Sequence, residues 1–393
     1  SISRPHLTSS SVKPSCAALA RTMASMVVGA LAFSGLRPWM TKSDPPEKRA
    51  QLLLAEMTQF EKLHLFAGNN TMAPYVGAVT GNDRLGIPAL TLNDGPQGFR
   101  DNDKHPGTST QMPSGLSVGA TWDPAMAELW GKTMAEEFLG KGSNVQLGPG
   151  LCVARVPYNG RNFEYVSGED PFLGFVIGGA SINGIQGAGV IANAKHWVNN
   201  NQETNRTTQS ADVDERTQFE IYYPPFEGAI KAKVGSVMCS YNKIRSKWSC
   251  ENPETLKRDL KERLGFDGWV MSDWGATHSA SINAGLDQEM PGGSKMTGIP
   301  DDQGICRHEL CTAIQNGSVT NATIDDSALR ILTPMFRMGL FDRKPSGSIS
   351  ANVTSPEHTA AARKIASASM VLLKNEGATL PLAGSSINVA GCH

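Results

Sequence analysis

From about residue 85 onward, short apolar runs alternate with longer stretches in which apolar residues recur every three or four positions. The runs at 89–93, 143–147, 190–195, 236–240, 268–272 and 284–290 read as strands, because each is brief, apolar and closed by turn-forming or polar residues. Between them the spacing predicts helices over 123–139, 171–186, 212–232, 253–264 and 303–316. Asp123 before Pro124 and Asn252 before Pro253 each place a capping acceptor ahead of a proline at the first helical position. Strand, helix and strand at this spacing make βαβ units, hence a parallel sheet.

Nearly every strand candidate ends in a polar cluster: "TLNDGPQGFR", "LGPGLCVAR", "NAKHW", "MCSYN", "MSDW" and "LDQEMPGG". A closed barrel brings the carboxyl ends of all its strands to one site, whereas an open doubly wound sheet uses mainly those at its switch point. Six decorated ends favour a (β/α)8 TIM-like barrel. No G-x-G-x-x-G follows a strand and no G-x-x-x-x-G-K-[ST] occurs, so dinucleotide and P-loop readings lose their main support. The stretch "GFDGWVMSDWGATHS" carries the pattern furthest, running from buried strand straight into Ser272, Asp273 and Trp274. An acid beside an indole at a cleft suits a sugar.

Charge narrows the partners. The 393 residues carry 36 basic and 37 acidic side chains, a formal net charge of −1, so no global field draws the chain to nucleic acid or anionic lipid. A small neutral ligand is the expected partner, with no nucleic acid and no membrane.

The amino end departs from the rest. Residues 1–43 form a tail in which Met23 opens "MASMVVGALAFSGLRPW", an apolar segment of signal-peptide length and too short to span a bilayer. Export is the expectation, so the protein is read as secreted. N-x-S/T triplets at Asn69, Asn205, Asn316, Asn321 and Asn352 agree with passage through a secretory lumen. In that setting Cys239 with Cys250, and Cys306 with Cys311, read as two local disulfides, and neither pair has zinc-site spacing. Residues 44–342 hold the barrel, and the Pro/Ser/Asn-rich stretch 343–355 reads as a linker. Residues 356–393 then open with a helix capped by Ser355 and run into "INVAGCH", the expected start of an incomplete second α/β domain.

Taken in order, "LNDGPQGFR", "GPGLCVARVPYNGRNFEYVSGEDP", "AKHWVNNNQE", "MCSYNKI", "GFDGWVMSDWGATHS", "AGLDQEMPGG" and "AARKIASASMVLLKNEGATLPL" resemble the family-three glycoside hydrolases, the β-glucosidase group. The resemblance runs from about residue 45 to the end and keeps the family's motif order. It implies a barrel followed by an α/β sandwich domain, and a retaining hydrolysis of terminal β-D-glucosyl residues that needs neither metal nor organic cofactor. The substrate would be a small β-glucoside or cello-oligosaccharide.

The resemblance also assigns roles, each set against a plainer alternative. Asp273 matches the family's nucleophile, though a lone strand-end Asp would ordinarily cap the next helix. Asp94 matches the carboxylate that accepts hydroxyls of the non-reducing sugar, where D-G-P alone would be a turn. Lys195, His196 and Arg161 match the sugar-hydroxyl donors, and Met238, Tyr241 and Trp274 match positions lining the site. A Lys-His pair ending an apolar strand is costly to bury without partners, which favours a cleft. Arg155, Glu164, Glu169 and Asp170 are expected to hold the long loop by ion pairs.

Retention also requires a second carboxyl as acid and base. In two-domain members of the family this is a Glu of the second domain, beyond the part represented here. The single-domain alternative, a His-containing loop soon after the Lys-His pair, is missing, because no His lies between His196 and His278. Glu203 is the nearest carboxyl by sequence, without a context that makes it a proton donor. A non-catalytic carbohydrate-binding protein and a β-xylosidase of the same family are the competing readings.

Overall fold

The computed structural model describes residues 37–69, 74–101, 104–300, 303–377 and 379–384. Its main sheet has six strands, which we number β1 Gly77–Val79, β2 Leu90–Asp94, β3 Val145–Leu147, β4 Ile191–Trp197, β5 Ser236–Cys239 and β6 Trp269–Ser272. β1 is antiparallel to β2, and β2 through β6 follow one another in parallel. The sheet then closes on itself. Met271 bridges in parallel to Gln288, Glu289 bridges to Ala67, and the Asn69 amide donates to the Ala78 carbonyl of β1 at 2.7 Å. The result is the expected TIM-like barrel, with its last links made by single bridges rather than full strands.

Helices cover the outside. α1 Pro46–Glu56, α2 Pro124–Gly140, α3 Pro171–Gly187, α4 Pro224–Lys231, α5 Asn321–Arg337 and α6 Pro356–Ala368 are the principal ones. α2 and α3 start as proline-led helices whose caps, Asp123 and Asp170, accept from the amides of Ala125 and Phe172. Where Gly131 of α2 meets α3, the Ser181 carbonyl occupies the place a Cβ would take, so glycine sets how closely the helices approach. β4 is buried at all seven positions, as expected for a central parallel strand.

The structure differs from the periodicity in instructive places. The apolar stretch 284–290 forms no ladder, because Ser281–Ala284 coil as a 3-10 turn and only single bridges follow. The helix expected over 212–232 is broken into Glu215–Thr217, a π-helical Gln218–Tyr222 and α4, since Pro224 and Pro225 supply no amide to continue it. Only Glu309–Gln315 of the stretch 303–316 is helical. α1, α5 and β1 were not anticipated, and β1 is only three residues long.

Residues 343–355 have no regular structure but are strapped to the barrel. Lys141 Nζ donates to Ile349 O at 2.9 Å, Val353 N to Thr108 O at 2.8 Å, and the hydroxyls of Thr110 and Thr354 meet at 2.7 Å. α6 begins after Ser355, whose side chain accepts from the His358 amide, as the sequence indicates. The strand expected at "INVAGCH", Cys16, Cys392 and the signal-like segment lie outside the described residues. Both local disulfides, Cys239–Cys250 and Cys306–Cys311, are present, and Cys152 is a buried free thiol. Among the described residues no helix is long and apolar enough to cross a membrane.

Candidate active site

All the singled-out residues gather at the carboxyl edge of the barrel strands. Asp94 ends β2, Lys195 and His196 lie near the end of β4, Tyr241 follows β5, and Asp273 and Trp274 follow β6. Arg161 comes from the long loop after β3, and Met238 sits buried in β5, in register between Lys195 and Met271. The polar strand ends of the sequence thus become one site, because parallel strands in a ring share a single carboxyl rim.

The charges are arranged as an alternating belt. Arg206 Nη1 meets Glu203 Oε2 at 2.9 Å, and Glu203 Oε1 stands 3.9 Å from Arg161 Nη1. Arg161 grips Glu164 with Nε and Nη2 at 2.8 and 3.0 Å, a bidentate pair. Glu164 Oε1 takes Lys195 Nζ at 3.0 Å, Lys195 lies 3.6 Å from Asp94 Oδ1, and Asp94 Oδ2 takes Arg100 Nη1 at 2.9 Å. Every buried ion in the belt therefore has opposite charge on its flanks, which is what makes its burial tolerable. Burial would raise the Glu164 carboxyl, but Lys195 and Arg161 outweigh it and hold the group at about 2. Burial likewise works against the Lys195 ammonium, and Glu164 and Asp94 more than restore it.

His196 is neutral. Burial pushes its pKa well below the ordinary value, and Arg161, Lys195 and Arg206 push the same way. Arg161 Nη2 approaches His196 Nε2 at 3.2 Å, and a guanidinium can only donate, so Nε2 accepts. The network then assigns the ring proton to Nδ1, which donates to Tyr165 Oη at 3.3 Å.

Asp273 is different from every other acid in the site. Its Oδ1 accepts from the Trp274 amide at 2.8 Å, while its Oδ2 is buried and has no hydrogen-bond partner among the described residues. The nearest ring, His196 Nε2 at 3.5 Å, is uncharged, so this approach is not an ion pair. Burial raises the Asp273 pKa, and the Trp274 amide, Lys195, the nearby Tyr241 hydroxyl and Arg161 oppose that shift without cancelling it. An oxygen left without a partner at the carboxyl rim of the barrel, beside a belt of charged side chains, is available to a ligand.

An aromatic wall completes the site. Tyr241 Oη donates to the Trp274 carbonyl at 3.1 Å, and the Arg206 guanidinium lies over the Tyr241 ring at 4.5 Å. The Trp274 indole donates to Val76 O at 3.3 Å and packs on Gly77, where an added Cβ would stand 2.7 Å from Trp274 Cζ2. Among the described residues, no group of three His, Cys, Asp or Glu side chains could hold a metal ion.

Four contributors escaped the sequence reading in their actual roles. Glu164 belongs to the site rather than only to its loop, whereas Asp170 caps α3 and Arg155 lies over the Tyr222 ring. Tyr165 fixes the His196 tautomer, and Arg206 and Gly77 fix Tyr241 and Trp274. Tyr165 and Glu164 lie inside the quoted motif "GRNFEYVSGEDP", which was the available signal; Arg206 and Gly77 had none.

Comparison with known proteins bears on the fold and the family. Residues 40–333 match the model of the glycosyl hydrolase family 3 N terminal domain. A probable beta-glucosidase L of Aspergillus terreus is 41% identical over 380 residues, covering 93% of this chain and 50% of its own length. A beta-glucosidase of Rhizobium radiobacter is 42% identical over 341 residues, covering 86% of this chain and 40% of its own. Among solved structures, a beta-glucosidase from Streptomyces venezuelae in complex with D-glucose superposes with a TM-score of 0.76 at 40% identity, covering 86% of this chain and 43% of that one. The beta-D-glucoside glucohydrolase of Trichoderma reesei gives 0.76 at 38% identity, covering 89% and 48%. The chain thus spans about half the length of the relatives it matches. On the extent of the domain match and these identities, the chain belongs to glycosyl hydrolase family 3.

Proposed function

We propose that this chain carries the glucose-binding and nucleophilic half of a secreted, retaining β-glucosidase. The observation that bears most weight is Asp273 Oδ2, buried and without a partner among cations that are all otherwise paired. In the proposed reaction Asp273 attacks the anomeric carbon of a terminal β-glucosyl unit, and the bond to the leaving oxygen breaks. The glycosyl-enzyme is then hydrolysed by water, restoring the carboxylate and retaining configuration. Lys195, Arg161 and His196 orient the sugar hydroxyls, Asp94 accepts from them, and Trp274 offers the ring an apolar face. The proton donor is a Glu supplied from outside the described residues, because Asp94, Glu164 and Glu203 are each committed to cations.

That same commitment favours a second reading, in which the chain by itself binds β-glucosides without turning them over. Intact-mass measurement after incubation with a 2-deoxy-2-fluoro-β-glucoside bearing dinitrophenolate separates the two, since this leaving group needs little protonation. One added fluoroglucosyl mass, absent in Asp273→Ala, supports the nucleophile. No adduct on a folded chain overturns it for this chain and leaves sugar binding alone.

A further inference from the structure

The loop that follows β4 places a modification signal on the rim of the site. In "ETNRTT", Asn205 and Thr207 form an N-x-T triplet that starts two residues after Glu203, which faces Arg161, and whose middle residue is Arg206, which covers Tyr241. Asn205 is exposed and takes a left-handed backbone, φ 56°, a conformation Asn tolerates better than most residues. Its carbonyl is held by the amides of Thr208 and Gln209, both at 2.9 Å, while its side-chain amide is engaged by no group of the described chain. Thr207 is exposed as well. The triplet is therefore exposed at both its acceptor residue and its threonine, on a turn closed by two backbone hydrogen bonds.

The other triplets are placed differently. The Asn69 side-chain amide donates to Thr80 Oγ1 at 3.0 Å, and Asn321 accepts from Gln59 at 3.3 Å. Asn316 closes on Ser318 through its own Oδ1, and Asn352 lies in the strap between the barrel and α6. None of these segments contributes a group to the belt around Asp273.

We propose that Asn205 carries an N-linked oligosaccharide and that this glycan walls the Tyr241 side of the site's mouth. In the transfer, Asn205 Nδ2 forms a bond to the anomeric carbon of a dolichyl-diphosphate oligosaccharide; the sugar–phosphate bond breaks, dolichyl diphosphate leaves, and Nδ2 loses one proton. The placement rests on the export reading, not on catalysis. Its consequence, that bulky leaving groups meet more resistance than small ones, rests on the proposed function.

The test uses the chain secreted from a glycosylating yeast. Peptide mapping after N-glycanase digestion in 18O-water is expected to show Asn205 as 18O-labelled Asp in most copies. Hydroxyl-radical labelling of Tyr241 is expected at least to double after endoglycosidase trimming to a single sugar, and to match that of Thr207→Ala. Trp122, 67% exposed and on the segment leading into α2, serves as the unaffected control. An unmodified Asn205 overturns the proposal, and so does an occupied Asn205 whose trimming leaves Tyr241 labelling unchanged. Loading by 2-deoxy-2-fluoroglucosyl fluoride should be insensitive to trimming while the dinitrophenyl donor speeds up; equal response of both overturns the role in leaving-group size. Absence of loading by either counts against the proposed function alone, and the labelling still decides the glycan's position.

Discussion

Asp273 Oδ2 and His196 Nε2 stand 3.5 Å apart and do not form an ion pair, because burial first, and then Arg161 donating to that same imidazole nitrogen, keep the ring neutral. The carboxylate is thereby denied a cation of its own while remaining inside a ring of cations that belong to other acids. That arrangement leaves its charge desolvated but unspent, which is what the proposed attack on an anomeric carbon requires.

A stability consequence follows from the raised pKa of Asp273. Its folded-state pKa lies above the unfolded one, so ionisation costs stability: the cost is absent below the ordinary Asp range and grows as pH rises through the raised folded value. Asp273→Asn should therefore abolish fluoroglucosyl labelling yet melt higher than the parent at neutral pH, by roughly 1–3 °C. The difference should vanish in acid. Calorimetric melting of both proteins across pH checks the sign, and a variant that melts lower at neutral pH refutes the account.

Glu164 has the opposite sign. Held at about 2 by Lys195 and Arg161 against an unfolded value of 4.5, it contributes stability that is complete above the unfolded value and lost as pH falls toward 2. Glu164→Gln leaves two buried cations short of a partner, at an expected cost of about 3–5 kcal/mol in denaturant unfolding at neutral pH. The gap between parent and variant should narrow in acid. A cost below about 0.5 kcal/mol would mean that water or Asp94 compensates the cations and that the belt is not the stabilising unit.

Arg206 acts through Tyr241. Its guanidinium over the ring is worth about 0.5–1 kcal/mol at a partly exposed position, so Arg206→Ala should slow fluoroglucoside loading roughly two- to fivefold. Glucose affinity, which the proposed function assigns to Asp94, Lys195 and Arg161, should hardly change. Lys at this position should recover part of the rate, since it restores the cation but not the planar stack. A parallel loss of affinity and rate would assign Arg206 to sugar binding instead.

The barrel and most of its site were legible because strand ends in a parallel ring share one rim. Six polar strand ends could thus be read as one locus, and Asp94, Arg161, Lys195, His196, Tyr241 and Asp273 are found there. What could not be read depends on contacts between distant segments. β1 is three residues long, and the sheet closes through single bridges at Ala67 and Gln288, too little pattern for any periodicity to register. Arg206 and Glu203 look like ordinary loop charges until the fold sets one over Tyr241 and the other against Arg161. The break in the helix expected over 212–232 was signalled by Pro224 and Pro225, and there the apolar spacing was followed too far.

Gly77 gives the most direct test of the aromatic wall. It lies in β1, 197 residues from Trp274 in sequence, yet a methyl group there would stand 2.7 Å from the indole Cζ2, whose ring is anchored to Val76 O. The indole cannot stay in place beside an alanine. Gly77→Ala should cost about 1–3 kcal/mol of stability through overpacking, because the indole or β1 must move. It should also weaken glucose binding roughly tenfold, the loss of about 1.4 kcal/mol expected if the displaced ring no longer meets the sugar face. Titration calorimetry with glucose and the tryptophan emission maximum report the two effects separately. A variant that binds glucose as the parent does, with emission unchanged, would show that Trp274 does not form the sugar's wall.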